Sequence, residues 1–243
     1  MEFFPIQHDI DELAKDLTNL EKNQIPFATA LALTRTAQAV QKEEVEEIKK
    51  VFDRPTRFTK NAVYVKPARK DRLQAKVWLI DWAVKTKNPA DKYLAPQIEG
   101  GERRQKGFEV LMQARGLLPR GYQAIPGKRA RIDRYGNMSK GQINQILSFS
   151  NAQRDRYQNT KVGKRGTKAR FIQLDAKDGK PGGIWAVNRG NGGIFPVMIF
   201  VKRTRYKKRY DFHGVAKKEF EGQWEYQLDQ AFKKALATQK RRK

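Results

Sequence analysis

The chain contains no cysteine, which excludes disulfides, thiolate metal sites and thiol nucleophiles. Histidine is scarce as well. His8 and His213 are the only two, so a histidine-based zinc site is not expected. No stretch approaches the roughly 18 uninterrupted apolar residues of a membrane-spanning helix, and no membrane partner is expected. Met1-Glu2-Phe3-Phe4-Pro5 lacks the charged region and apolar core of a secretory signal. Apolar residues reach only 39%, with aromatics at 10%, but they fall in periodic runs, which argues against wholesale disorder. The 243 residues suffice for one large domain or two small ones, with a thin core.

Acidic residues are the other shortage: Asp+Glu number 26 against 51 Lys+Arg, a net charge of +25. The imbalance is uneven. Residues 1–53 hold six Lys/Arg and eleven Asp/Glu, a balance of −5, so the other 190 residues carry +30. A field of this sign attracts polyanions or acidic protein surfaces and repels copies of itself unless a partner neutralises it.

Helical periodicity opens the chain. Ile10, Leu13, Ala14, Leu17 and Leu20 recur in steps of three and four, the spacing of one helix face. Asn23-Gln24-Ile25-Pro26 breaks this helix, and Pro26 suits the first turn of the next. From there to Phe52 runs the longest helical pattern, about 27 residues and roughly 40 Å. Its first half is small and apolar; its second alternates Glu43, Glu44, Glu46 and Glu47 with Val45, Ile48 and Val51. Asp53-Arg54-Pro55 ends it. Ala62–Lys66 and Leu73–Ile80 read as a strand hairpin joined through Pro67 to Lys70.

Farther on, 88–104 reads as loop, with two prolines and a Gly-Gly pair, and 108–118 as a helix ending before Pro119. Residues 119–141 are punctuated by glycine and proline and read as turns. Ser139 starts a short helix through Leu147. Residues 151–168 are polar and basic and read as a mobile loop, or one that orders on binding; its cations include Arg154, Arg156, Lys161, Lys164, Arg165 and Lys168. Strands are expected at 169–175, 183–188 and 194–202, with hairpin chemistry at Asp178-Gly179 and Arg189–Gly193. Pro196 inside the third predicts an edge or a bulge. A terminal helix from Asp211 to Ala237 would bury Phe212, Val215, Phe220, Trp224, Leu228, Phe232 and Leu236 on one face, before a solvated basic end. The class is α+β: N-terminal helices including one long one, a twisted antiparallel sheet and a C-terminal amphipathic helix.

Motifs that carry chemistry are not found. Gly163-Lys164-Arg165-Gly166-Thr167-Lys168 is glycine-rich and basic but lacks the spacing that wraps amides around phosphate. The four clustered glutamates cover several faces of one helix, so they cannot converge on a metal. A solvated face is the default reading, and a face acidic enough to meet a basic neighbour is the functional one. His8 and His213 precede and open helices without motif partners. No catalytic residue, cofactor or metal site is expected.

The basic clusters carry more. Lys202, Arg203, Arg205, Tyr206, Lys207, Lys208 and Arg209, followed by Tyr210, stand where a strand leaves the sheet and a helix begins. Three readings are open: phosphate contact with base stacking on tyrosine, docking onto an acidic neighbouring subunit, or a solvated loop.

Ile25-Pro26-Phe27-Ala28-Thr29-Ala30-Leu31-Ala32-Leu33-Thr34-Arg35-Thr36-Ala37, preceded by a short helix and followed by a charged helical continuation and a basic β region, resembles the minor tail protein Z group of tailed bacteriophages. Arg131–Ile143, Gly183-Ile184-Trp185, Pro196–Val201 and Tyr206–Arg209 are similar to segments of prophage virion structural proteins. The resemblance spans most of the chain. Residues 85–118 and 150–170 have no counterpart, which marks them as insertions in a single α+β domain over 1–243.

That resemblance implies a non-enzymatic structural protein of the virion, made in the host cytoplasm and placed at the tail or neck. There it would help complete the tail and join it to the head. It implies several copies in a ring, about six or twelve, with neck, portal or tail proteins as partners and genomic DNA as a candidate in the channel. Glu43, Glu44, Glu46 and Glu47 could then meet the basic region of the next copy. A stand-alone basic nucleic-acid-binding protein is the alternative.

Overall fold

The computed structural model describes residues 20–82, 89–160, 170–177, 181–187, 190 and 193–240. In chain order its helices and strands are α1 (Ile25–Val51), α2 (Arg57–Lys60), β1 (Val63–Lys66), β2 (Lys76–Leu79), α3 (Ala90–Ile98), β3 (Gly101–Glu102), α4 (Gly107–Ala114), β4 (Tyr122–Pro126), α5 (Lys140–Phe149), β5 (Phe171–Leu174), β6 (Gly183–Val187), β7 (Ile194–Lys202), β8 (Arg205–Tyr206) and α6 (Phe212–Lys240). Every pairing among these strands is antiparallel. The α+β class read from the sequence holds. The chain divides into two compact units, one made of 1–98 and 208–243, the other of 99–207.

In the first unit α1 and α6 run antiparallel. Ala28 and Ala32 near the start of α1 meet Ala231 and Ala235 near the end of α6, while Ile48 at the other end of α1 packs with Tyr210 and Phe212. Methyl side chains at the contact let two helix axes approach closely. Phe27, Leu31, Trp224, Leu228 and Phe232 flank the seam. The face expected on α6 is corrected in part: Phe212 is buried and Trp224, Leu228 and Phe232 pack at the seam, but alanines form its centre and Phe220 and Leu236 are 43% and 46% exposed. Pro26 sits in the first turn of α1 as expected, but a π-helical segment, Leu20–Gln24, leads directly into it instead of a break. Residues 1–19, with most of the expected first helix, lie outside the described residues.

β1 and β2 pair from Val63↔Leu79 to Lys66↔Lys76, and Val63, Val77 and Leu79 pack with Ile48. Sequence reasoning placed a loop over 88–104, yet 90–98 is helical despite Pro96. Proline removes one helical hydrogen bond there. Tertiary contacts outweigh it: Ala90, Leu94 and Gln97 are buried, and the Gln97 carbonyl accepts from the backbone N–H groups of Arg209 and Tyr210.

The second unit is built on a four-stranded sheet in the order β4-β7-β6-β5. Its core joins Met112 of α4 and Ile146 and Leu147 of α5 to Ala124, Ile184, Val197, Met198 and Phe200. Ser139 caps α5, its hydroxyl accepting from Gln142 N–H. β4 is a strand where only turns were expected, because pairing with β7 organises a segment whose glycines and prolines read locally as turns. Pro196 lies on an inner strand, not an edge, but the expected bulge is present: Ile184 pairs with Met198 and Trp185 with Pro196, leaving Val197 as the extra residue. Gly183 lies so close to β7 that a Cβ there would fall on the Met198 carbonyl oxygen. The turn motifs Asp178-Gly179 and Arg189, Asn191 and Gly192 lie outside the described residues.

Candidate assembly surfaces

The four clustered glutamates of α1 have two different fates. Glu43, Glu46 and Glu47 are partly exposed and pair with lysines of their own helix: Glu46 with Lys49 at 2.6 Å, Glu43 and Glu47 with Lys50 at 3.3 and 3.5 Å. Lys49 donates to Glu46 and holds that carboxyl below its ordinary range. Exposed helical pairs of this kind contribute little to stability. These three residues can serve as a surface.

Glu44 cannot, which corrects its place in an acidic inter-subunit face. It is completely buried and accepts a hydrogen bond of 2.6 Å from the Tyr210 hydroxyl. Its second oxygen has no hydrogen-bond partner among the described residues. Burial pushes its pKa up to about 7, Tyr210 pulls it part of the way back, and Glu47, Asp211 and Glu43 push it up again. The signal for this was present in the sequence: Thr36, Val40, Glu44 and Ile48 stand four residues apart, and all four are buried.

The basic run 202–210 is likewise mixed. Within the second unit, Lys202 ends β7, Arg205 and Tyr206 form β8 against β3, and Lys202, Arg205 and Lys207 are exposed. Arg203 approaches Glu102 at 3.9 Å. Within the first unit, Lys208 is exposed, whereas Arg209 donates from Nε to Gln97 Oε1 at 2.6 Å and its guanidinium lies 4.8 Å from the centre of the Phe52 ring. Tyr210 is buried, with Phe52 edge-on at 5.9 Å. Among the described residues the run thus offers four cations with no ion pair, Lys202, Arg205, Lys207 and Lys208, while Arg209 and Tyr210 hold the fold.

In the polar segment after α5, Arg154 and Arg156 are exposed, but residues 151–160 are ordered by local bonds. Asp155 caps a short 3-10 turn at Arg156–Gln158, and Ser148 donates to the Gln158 carbonyl. Lys161, Lys164, Arg165 and Lys168 lie outside the described residues.

One charged pair escaped the sequence reading. Glu109, fully buried in the first turn of α4, receives the Arg103 guanidinium on both oxygens, at 2.5 and 2.8 Å. It also accepts from the backbone N–H of Lys106 at 2.7 Å and of Ala124 in β4 at 2.9 Å. Burial pushes the carboxyl up, and Arg103 with the two amides more than offsets it, so its pKa lies below the ordinary range. This joins α4 to the edge strand and the 103–106 loop. The one local signal is an acidic residue in a helix's first turn.

Among the described residues no group of three His, Asp or Glu could hold a metal ion, and no helix is long and apolar enough to cross a membrane. Residues 9–121 match the family model described as prophage minor tail protein Z (GPZ). No curated protein and no solved structure matches the chain. The matched span runs from the expected first helix through α1, the β1–β2 hairpin and α4, and over that span the chain is similar to the prophage minor tail protein Z family.

Proposed function

We propose that this phage tail structural protein works at the head–tail neck or in the proximal tail. There it helps to complete the tail and join it to the head as a ring of several copies, about six or twelve, and performs no catalysis. The observation that carries the reading is the family match on a chain whose residues beyond 53 hold a surplus of +30. Such a surplus favours assembly with neighbours of opposite charge over a free existence. Glu43, Glu46 and Glu47 and the four free cations of the basic run are the proposed contact points, with neck, portal and tail proteins as partners and DNA in the channel as a further one. The competing reading, a free nucleic-acid-binding protein, loses Tyr210 as a stacking platform because that ring is buried.

Electron cryomicroscopy of particles carrying a labelled copy tests the position. Label at the head–tail junction is expected; label confined to the tail tip would overturn it. Charge reversal of Lys202, Arg205, Lys207 and Lys208 should leave the chain folded, since exposed charges contribute little to stability, and should lower the yield of infectious particles. Unchanged yield would remove the docking role of this run.

A further inference from the structure

The β1–β2 hairpin has two unlike faces. Val63, Val77 and Leu79 pack into the core around Ile48. Alternation sends Tyr64 and Lys66, and opposite them Trp78 and Lys76, to the other side. A half-covered ribbon ordinarily carries polar residues there. Here Tyr64 is 42% exposed and Trp82, just beyond β2, is 45% exposed. With Trp78 they form one cluster, the ring centres 4.9 Å apart for Tyr64–Trp78, 5.1 Å for Tyr64–Trp82 and 6.1 Å for Trp78–Trp82.

The Tyr64–Trp78 pair has a local role, since opposed aromatics stabilise a two-stranded ribbon. Trp82 does not share it, for it lies outside the paired register. Tyr64 and Trp82 bring a phenol hydroxyl and an indole N–H on exposed side chains. The rings also fill the space between them, so the cluster is a knob and not a cage for a small cation. An aromatic centre with polar tips and a charged rim is the anatomy of a protein–protein contact.

The rim sets the sign of the partner. Lys66 and Lys76 stand directly opposite each other, both exposed, a like-charge pairing that costs stability until a carboxylate arrives. Asp81, exposed beside Trp82, is the acidic residue next in sequence. A second copy is a poor occupant, because it brings the same cationic surplus, +25 over the chain, against these two lysines.

We infer that the Tyr64–Trp78–Trp82 face docks a different virion protein, whose surface is apolar at its centre and carries carboxylates opposite Lys66 and Lys76. This rests on the tail-protein family and not on the neck position, so either can fail without the other.

A benzophenone amino acid placed at position 82, in particles produced by an induced host, tests it. Irradiation should give an adduct with another virion protein, mapped by mass spectrometry to a segment bearing Asp or Glu. Adding Lys66→Glu and Lys76→Glu should lower adduct yield at least about tenfold. An adduct with a second copy or with DNA, one insensitive to the reversals, or none from particles that contain the protein would overturn the inference. As a control free of the label, full-length Trp82→Ala should melt with the parent yet enter particles at least about tenfold less well in competition. Equal incorporation would equally overturn it.

Discussion

Glu44 and Glu109 are both completely buried, one in each unit, and their surroundings treat them in opposite ways. Glu109 has a guanidinium and two backbone amides on its oxygens and remains charged. Glu44 has one hydroxyl and, among the described residues, no cation paired with it, and holds its proton to about pH 7. A buried carboxylate survives only where donors replace the water it lost. The second unit meets that condition by knotting a loop, a helix and a strand around one side chain. In the first unit, two long helices with an alanine seam supply the cohesion, and the carboxyl is accommodated by neutralising it.

The largest effect expected from breaking this contrast is at Glu109. Glu109→Ala leaves Arg103 without its partner and two amides without an acceptor, at a cost of about 3–5 kcal/mol, measurable by urea unfolding. A variant within 1 kcal/mol of the parent, roughly the worth of an exposed pair, would mean that the pair is not buried in solution.

Glu44 gives a smaller effect with the opposite pH sense. Its folded pKa of about 7 lies above the ordinary 4.5. Between these values the folded chain keeps a proton that the unfolded chain releases, so stability falls as pH rises through that window, on the order of 3 kcal/mol. Glu109, with its lowered pKa, contributes stability above the ordinary carboxylate pKa that is lost only as pH falls through its folded value. Glu44→Gln retains an acceptor for Tyr210 and should flatten the parent's decline when unfolding is compared at pH 5 and pH 8. Equal declines in both proteins would contradict the buried, neutral carboxyl.

Least costly is a change in the alanine seam. Ala231→Leu forces extra volume between α1 and α6 and should cost about 1–3 kcal/mol, read as a lower Tm. A variant that melts with the parent would show that the two helices do not meet there.

The elements legible in advance were those whose signal is local and repeated. α1 and α6 have long apolar periodicity, Pro26 and Ser139 mark helix starts, and β5, β6 and β7 are β-rich runs between turn residues. α3 and β4 were not legible, because proline and glycine in 88–104 and 119–141 point away from regular structure. What reverses them is nonlocal, namely the bonds from 209 and 210 to Gln97 and the ladder from β7 to β4. For the charged surfaces, sequence found the clusters but not their members' roles. Glu43 and Glu44 are neighbours of one type, yet a 100° turn of the helix puts one in solvent and the other in the core. Arg209 and Tyr210 end a basic run and are spent on the fold.

Sequence alone determined the class, the two long helices, the order of the main strands, the cationic surplus and the resemblance to a tail-protein family, because periodicity, composition and family pattern are properties of the chain read in order. Only the tertiary structure decided which charges are free. Pairing and desolvation depend on distance in space, and the partners of Glu44 and Gln97 lie more than a hundred residues away along the chain.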